Sequence, residues 1–446
     1  MGLEKPHVME PKTQDEMNPN TISRSNLFGW RDQSLGAFGQ VSRTKGATLF
    51  DQHERPVLDF ASGQVNVNLG HGHPYVLNAM REQLEILCYT APSLNTDVRE
   101  RLSEQINQII PFKEHCKIFL CNSGSEAVES AVKIAWALTG RRKIYASSHS
   151  YHGATIAASS ISGDARRMFA EPGIAGTRLF ASPFCNTTSF EGLSQDDRTD
   201  LAIRLLEDQI TRDGPASVAA IFMEPVIGSG GVYPWPTRFV KAARQLCTRH
   251  GILLVFDETM SGWGRTGKWF ATQHHAVEPD MITTAKGITS GYVPLAAVIV
   301  PKNLADRFDG RPLVCGSTTE GHALACATAL ACIETYHREN VVDRARETGQ
   351  VLSERLAEIS QSHPCVKAVR SVGMLAGIEL HDAAVLRPGT SWSETTTRSL
   401  WARGVFNIVR GNMIMVAPPL TIETSQFENG LNLIRDELYT NDAAMR

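Results

Sequence analysis

Three separated features of this 446-residue chain point to one chemistry. Ser123-Gly124-Ser125-Glu126 follows a β-rich run and opens an amphipathic stretch. Small residues let a ligand approach the backbone there, two hydroxyls can donate, and the free N–H groups of a helix start favour an anion such as a phosphate. The same residues would also serve as a plain N-cap through Ser123 or Ser125. Asp257 closes the most hydrophobic run of the chain, Ile252-Leu253-Leu254-Val255-Phe256. A carboxylate at the carboxyl edge of a buried strand lies where open α/β sheets bind ligands, and its desolvation demands a cationic group opposite. Lys286 follows Met281-Ile282-Thr283-Thr284-Ala285. A lysine so placed is either a surface residue with a snorkelling stem or a nucleophilic amine whose pKa is lowered by its surroundings.

A phosphate cradle, a carboxylate for a protonated ring nitrogen and an amine that condenses with an aldehyde are the three needs of pyridoxal 5′-phosphate. Other motifs compete poorly. Gly262-Trp263-Gly264-Arg265-Thr266-Gly267 fits G-x-G-x-x-G, with Asp280 further on. In a dinucleotide fold, however, the strand turns straight into the glycines, whereas here five residues intervene from Asp257 and Arg265, Lys268 and Trp269 crowd the loop. Trp269 also replaces the Ser or Thr that a phosphate loop needs for Mg²⁺. Gly70-His71-Gly72-His73-Pro74 is turn chemistry leading into a helix with Pro74 at its first position, so neither it nor His274-His275 is read as a metal site. No G-x-S-x-G nucleophile elbow is present.

The elements that must position these residues alternate between 117 and 300. Short β-rich runs at 117–120, 143–146, 218–223, 252–256, 281–284 and 296–300 are separated by helical patterns, notably 126–138 and 238–250. Runs without polar alternation are buried on both faces, so a mainly parallel sheet covered by helices is expected. From about residue 340 the pattern becomes mixed: a charged helix at 341–360, a β-rich piece at 366–380, a loop at 387–389, a helix near 395–403, strands at 405–409 and 413–416, and a terminal helix after 421. An apolar helix at 322–336 joins the two parts. The expected domains are 1–74 as an N-terminal arm and segment of the small domain, 75–336 as a large α/β domain, and 337–446 as a small α+β domain.

Composition narrows the class of function. Forty-four Lys plus Arg against 47 Asp plus Glu leave a formal charge of -3, with no cationic excess for a nucleic acid. Hydrophobic residues at 42% and charged at 20% are globular, and no apolar run approaches the ~20 residues of a membrane span. Nine scattered cysteines without a C-x-x-C pair point to a reducing cytoplasm, and residues 1–20 read as a loose polar arm without a secretory core.

With these residues in hand, the chain resembles the class III, or omega, aminotransferases of the fold-type I pyridoxal-phosphate enzymes. The matching stretches are Leu58-Asp59-Phe60-Ala61-Ser62-Gly63, Leu69-Gly70-His71-Gly72-His73-Pro74, Asn122-Ser123-Gly124-Ser125-Glu126-Ala127, Tyr151-His152-Gly153-Ala154-Thr155, Glu224-Pro225-Val226, Asp257-Glu258, Gly262 to Gly267, Ala285-Lys286-Gly287 and Ala417-Pro418-Pro419-Leu420, in order over nearly the whole chain. The resemblance implies a transaminase that moves an amino group from an amine or an α, β or ω amino acid to a 2-oxo acid such as pyruvate or 2-oxoglutarate. It makes Lys286 the Schiff-base lysine and proton carrier and pairs Asp257 with the ring nitrogen. Ser123, Gly124 and Ser125 would lie at the phosphate and Tyr151 on the ring face with His152 beside it, while Glu224 and Met260 would complete the cofactor site. Thr318 would reach the phosphate of the second subunit of a homodimer, and Arg410 would grip a substrate carboxylate.

Departures from the family bear on the substrate. Met260 stands where the family usually has a glutamine, and a thioether cannot donate to the cofactor's phenolic oxygen. Ser229 stands where ornithine and 4-aminobutyrate members carry a glutamate that shields the arginine, which argues against that subgroup. Gln64 follows Ser62-Gly63 where amine–pyruvate members often have a tryptophan beside that motif. Together with Ser229 it resembles the dialkylglycine decarboxylases, making decarboxylation-dependent transamination the alternative to plain transfer. Tyr151 and Gly316 depart from that subgroup and favour transfer.

Overall fold

The structure is a computed structural model that describes residues 26–30, 32–385 and 391–444. The polar arm expected at 1–20 and the loop at 387–389 lie outside these residues.

The buried strands assemble into one seven-stranded sheet. Across it the order is Cys116–Cys121, Ala296–Pro301, Met281–Thr284, Leu253–Asp257, Val218–Met223, Lys143–Ser147 and Thr177–Phe180. The neighbours from Met281–Thr284 through to Thr177–Phe180 pair in parallel. Ala296–Pro301 runs antiparallel to both of its neighbours. The short connection from 285 to 295 explains this, because a parallel return needs a crossover of about a dozen residues or more, normally a helix. Every residue of Val218–Met223, Leu253–Asp257 and Met281–Thr284 is buried, as their unbroken apolar character requires. Thr177–Phe180 is an edge strand that the hydrophobic pattern alone does not announce, since Arg178 interrupts its short run.

Gly124–Thr139 packs on this sheet and buries Ala127, Val128, Ala131, Val132, Ala135 and Leu138. Ser123 caps it by accepting from Glu126 N, while Glu126 Oε2 accepts from Asn122 N at 3.0 Å. Gly140 ends the helix with φ +70°, a conformation suited to glycine. Ala323–Arg338, buried along most of its length, packs against Pro74–Ile86 and Asp97–Ile109.

Besides the two-stranded pair Val226–Ile227 and Tyr233–Pro234, two four-stranded sheets accompany the large one. Val41–Lys45, Thr48–Asp51 and Pro56–Asp59 form an antiparallel meander that Val405–Phe406 joins in parallel, so early and late segments share a sheet. Val366–Val372, Leu375–Leu380, Met413–Val416 and Ile408–Arg410 form the other. Arg265, fully buried, knits the parts together: it donates to Met374 O at 3.0 Å, Pro418 O at 2.7 Å, Ser62 Oγ at 3.1 Å and Asn68 Oδ1 at 2.8 Å. The glycine-rich loop that holds Arg265 is therefore a structural junction. Asp280, the other half of the discarded nucleotide motif, accepts from Leu254 N and pairs with Arg244. Among the described residues no helix is long and apolar enough to cross a membrane, and no cluster of three His, Cys, Asp or Glu could hold a metal.

Candidate active site

The carboxyl ends of the central strands bring the separated residues together. Asp257 is buried at the end of its strand, with Oδ2 at 2.8 Å from His152 Nδ1 and Oδ1 accepting from Thr283 Oγ1 and Thr259 N at 3.1 Å each. Burial pushes its pKa up, but the His152 hydrogen bond and charge, with Thr259, outweigh that and hold it below the usual carboxylate range. His152 is thus one of the polar partners that the buried Asp257 carboxylate requires. An ionised Asp257 makes Nδ1 the donor, and among the described residues the buried His152 Nε2 has no hydrogen-bond partner.

Lys286 follows the neighbouring strand with φ +51°, a left-handed conformation that a lysine rarely adopts. Desolvation lowers its pKa to about 8, opposed by the charges of Asp257 and Glu224 and assisted by those of Arg410 and Arg265. This is the activated-amine alternative of the two that the sequence left open. Glu224 is buried and pushed up to about 7 by its desolvation, against the pull of His152 and the Gly228 N–H. Its oxygens accept from Tyr151 N and Gly228 N, both at 2.9 Å, so its visible work is to fix two loops.

At the start of the Gly124 helix, Ser123 spends its hydroxyl oxygen on the cap and is exposed, while Gly124 and Ser125 supply first-turn N–H groups that no helical carbonyl can reach. A Cβ on Gly124 would approach Thr259 Cγ2 to 3.0 Å, and one on Gly153 would run into Ser125 Oγ. Thr259 Oγ1 is buried here and has no hydrogen-bond partner among the described residues. An anion-binding helix start, an orphaned hydroxyl beside it, an ionised carboxylate and an amine of lowered pKa fit pyridoxal phosphate group by group. Met260 lies against Gly228 and presents only its thioether. Thr318 is exposed on a loop whose neighbours Ser317 and Thr319 hydrogen-bond Asn122, next to the cradle, at 2.7 and 3.0 Å.

Gln64 and Arg410 line one cleft of about 840 Å³. Arg410 is partly buried, and its buried Nη1 has no hydrogen-bond partner among the described residues. Burial lowers its pKa and Arg166 lowers it further, against Asp164 and Tyr151. Sequence reading missed Asp164 and Arg166. The Arg166 guanidinium carbon stands 3.7 Å from the centre of the Tyr151 ring, and Arg166 lines the same cleft together with Asp164 and Trp30. The only sequence signal was their Asp-x-Arg spacing in a loop, which by itself marks a turn.

The known proteins that this chain resembles point to one family. A family model described as Aminotransferase class-III matches residues 32–438. The 5-aminovalerate aminotransferase DavT of Pseudomonas putida is 34% identical over 400 residues, covering 89% of this chain and 92% of that protein. The 4-aminobutyrate aminotransferase GabT of Escherichia coli is 34% identical over 423 residues, covering 92% and 97%. Among solved structures, taurine:2-oxoglutarate aminotransferase from Bifidobacterium kashiwanohense, in complex with PLP and glutamate, has a TM-score of 0.92 at 32% identity, covering 98% of this chain and 100% of that one.

Proposed function

The chain belongs to the class III aminotransferases, pyridoxal-phosphate enzymes that pass an amino group to a 2-oxo acid, and on that premise we propose that its donor is an ω-amino acid, with a primary amine at one end and an anion at the other. The observation that carries this reading is the unpartnered Nη1 of Arg410, a cation that lines the cleft and whose charge is felt at Lys286. 5-Aminovalerate, 4-aminobutyrate and taurine, which name three of the similar proteins, all pair an amine with a distal anion. Ser229, which argued against the 4-aminobutyrate subgroup, leaves Arg410 without the glutamate of those members, and the charge of Asp164 acts on it instead.

When bound, pyridoxal phosphate supplies an electron sink for the carbon that loses its proton. Lys286 Nζ would hold the cofactor aldehyde and, once displaced, accept the proton of the amine-bearing carbon and give it back. A pKa of about 8 suits both directions near neutral pH. Asp257 would keep the ring nitrogen protonated, steadied by His152, and Tyr151 would cover the ring, its loop set by Glu224. Gly124 and Ser125 would hold the phosphate, with Thr259 beside them and Thr318 reaching in from the second subunit of a homodimer. Residues 75–336 form the large domain in this reading, with 1–74 and 337–446 completing the small one, and the enzyme works in the cytoplasm.

The test is a half-reaction screen of the holoenzyme, adding single amines and amino acids and following the loss of the cofactor's visible band. ω-Amino acids should bleach it fastest, without CO₂. Stoichiometric CO₂ from 2-aminoisobutyrate would move the chain to decarboxylation-dependent transfer, and bleaching by uncharged amines alone would end the anion-anchor reading of Arg410.

A further inference from the structure

We propose that Arg166 is a second anion anchor that makes the enzyme select a dicarboxylic over a monocarboxylic 2-oxo acid; the proposal rests on the reading of Arg410 as a carboxylate anchor. Asp164 caps the short turn Ala165–Ala170, accepting from Arg166 N at 2.9 Å. It also grips the Arg166 side chain in two-pronged fashion, Nε to Oδ1 at 2.7 Å and Nη2 to Oδ2 at 3.0 Å. Burial raises the pKa of Asp164, but Arg166, with help from Arg410, outweighs it and holds the carboxyl below its ordinary value. Asp164 is therefore a fixed anion that uses two of the three guanidinium nitrogens and, among the described residues, leaves Nη1 for another group.

The orientation of Arg166 is fixed before anything binds. Its guanidinium lies on Tyr151 at 3.7 Å, and the Trp30 ring is 5.3 Å away. Tyr151 is itself tied through its N–H to buried Glu224. A pre-ordered arginine loses little rotamer freedom on gripping a carboxylate. Arg166 and Arg410 line the same cleft, Asp164 lies within the electrostatic reach of both, and among the described residues the buried Nη1 of Arg410 has no hydrogen-bond partner. A second carboxylate would satisfy both. Pyruvate brings one carboxylate, which Arg410 takes, whereas 2-oxoglutarate brings a second for Arg166.

The experiment compares kcat/KM for 2-oxoglutarate and pyruvate in the holoenzyme and its Arg166→Gln and Arg410→Ala variants, with one amino donor throughout. Arg166→Gln should lower the ratio of 2-oxoglutarate to pyruvate by about 10–100-fold, the worth of one charged hydrogen-bonded contact. An unchanged ratio, whether both values fall together or neither falls, would show that the Asp164–Arg166 pair only braces its loop, and the proposal would be wrong. Arg410→Ala should depress both acceptors; if it depresses neither, the anchor reading of Arg410 fails first. A second measurement needs no variant: glutarate should perturb the visible band of the wild-type holoenzyme at a concentration about tenfold or more below valerate. Equal dissociation constants would overturn the proposal.

Discussion

Lys286 combines a left-handed backbone with an ammonium held in a desolvating site, and both cost stability in the cofactor-free protein. Because its folded pKa is lowered to about 8, the folded state binds this proton more weakly than the unfolded one. The penalty is complete below about pH 8 and fades as pH rises from there towards the ordinary lysine value of 10.5. Cofactor-free Lys286→Met should therefore melt above the cofactor-free parent at pH 7, with the gap closing by pH 10. In the loaded enzyme, Lys286→Ala should lower kcat by about three orders of magnitude or more while far-ultraviolet circular dichroism stays native. Full activity in that variant would remove the amine from the mechanism. Asp257 and Lys286 were legible in the sequence because a charge ending a buried apolar run has few inexpensive explanations. Arg166 was not, since its significance depends on Tyr151 and Arg410, which only the tertiary fold brings to it.

The element that starts at Gly124 is held by contacts from two other segments, and its neighbour Gly153 is the most exacting. Gly153 has φ +136°, and a methyl group there would strike Ser125 Oγ. Gly153→Ala should push Ser125 off the cradle and raise the cofactor dissociation constant about tenfold, or ~1.4 kcal/mol, as read by equilibrium dialysis. Retention equal to the parent would mean that the cradle does not depend on this approach. At this scale the sequence located nearly every strand of the large sheet, since periodicity and burial set those runs. It did not reveal that Ala296–Pro301 runs against its neighbours, because a strand buried on both faces carries no mark of direction. The missed strand Thr177–Phe180 lies at the sheet edge, where half-burial weakens the pattern.

Across the whole molecule, Arg265 is the tie between the early segment at Ser62 and Asn68 and the late strands near Met374 and Pro418. Desolvation lowers its pKa to about 10, opposed by Tyr336 and Asp59, so it remains a cation at neutral pH. Arg265→Ala would strand several buried acceptors and should destabilise the fold by about 3 kcal/mol or more, seen as a lower urea midpoint with an unchanged slope. A loss below about 0.5 kcal/mol would show that the parts cohere without it.

The residues proposed to do chemistry and those proposed to choose the acceptor come from different places. Asp257 ends one central strand and Lys286 follows the next, whereas Asp164 and Arg166 sit on a short turn that leads to the edge strand Thr177–Phe180. A lineage could therefore rewrite the turn, and with it the choice of co-substrate, by small insertions or single replacements that leave the central sheet untouched. Relatives that share the lysine and the aspartate need not share an acceptor, and a transplanted turn should carry its preference with it.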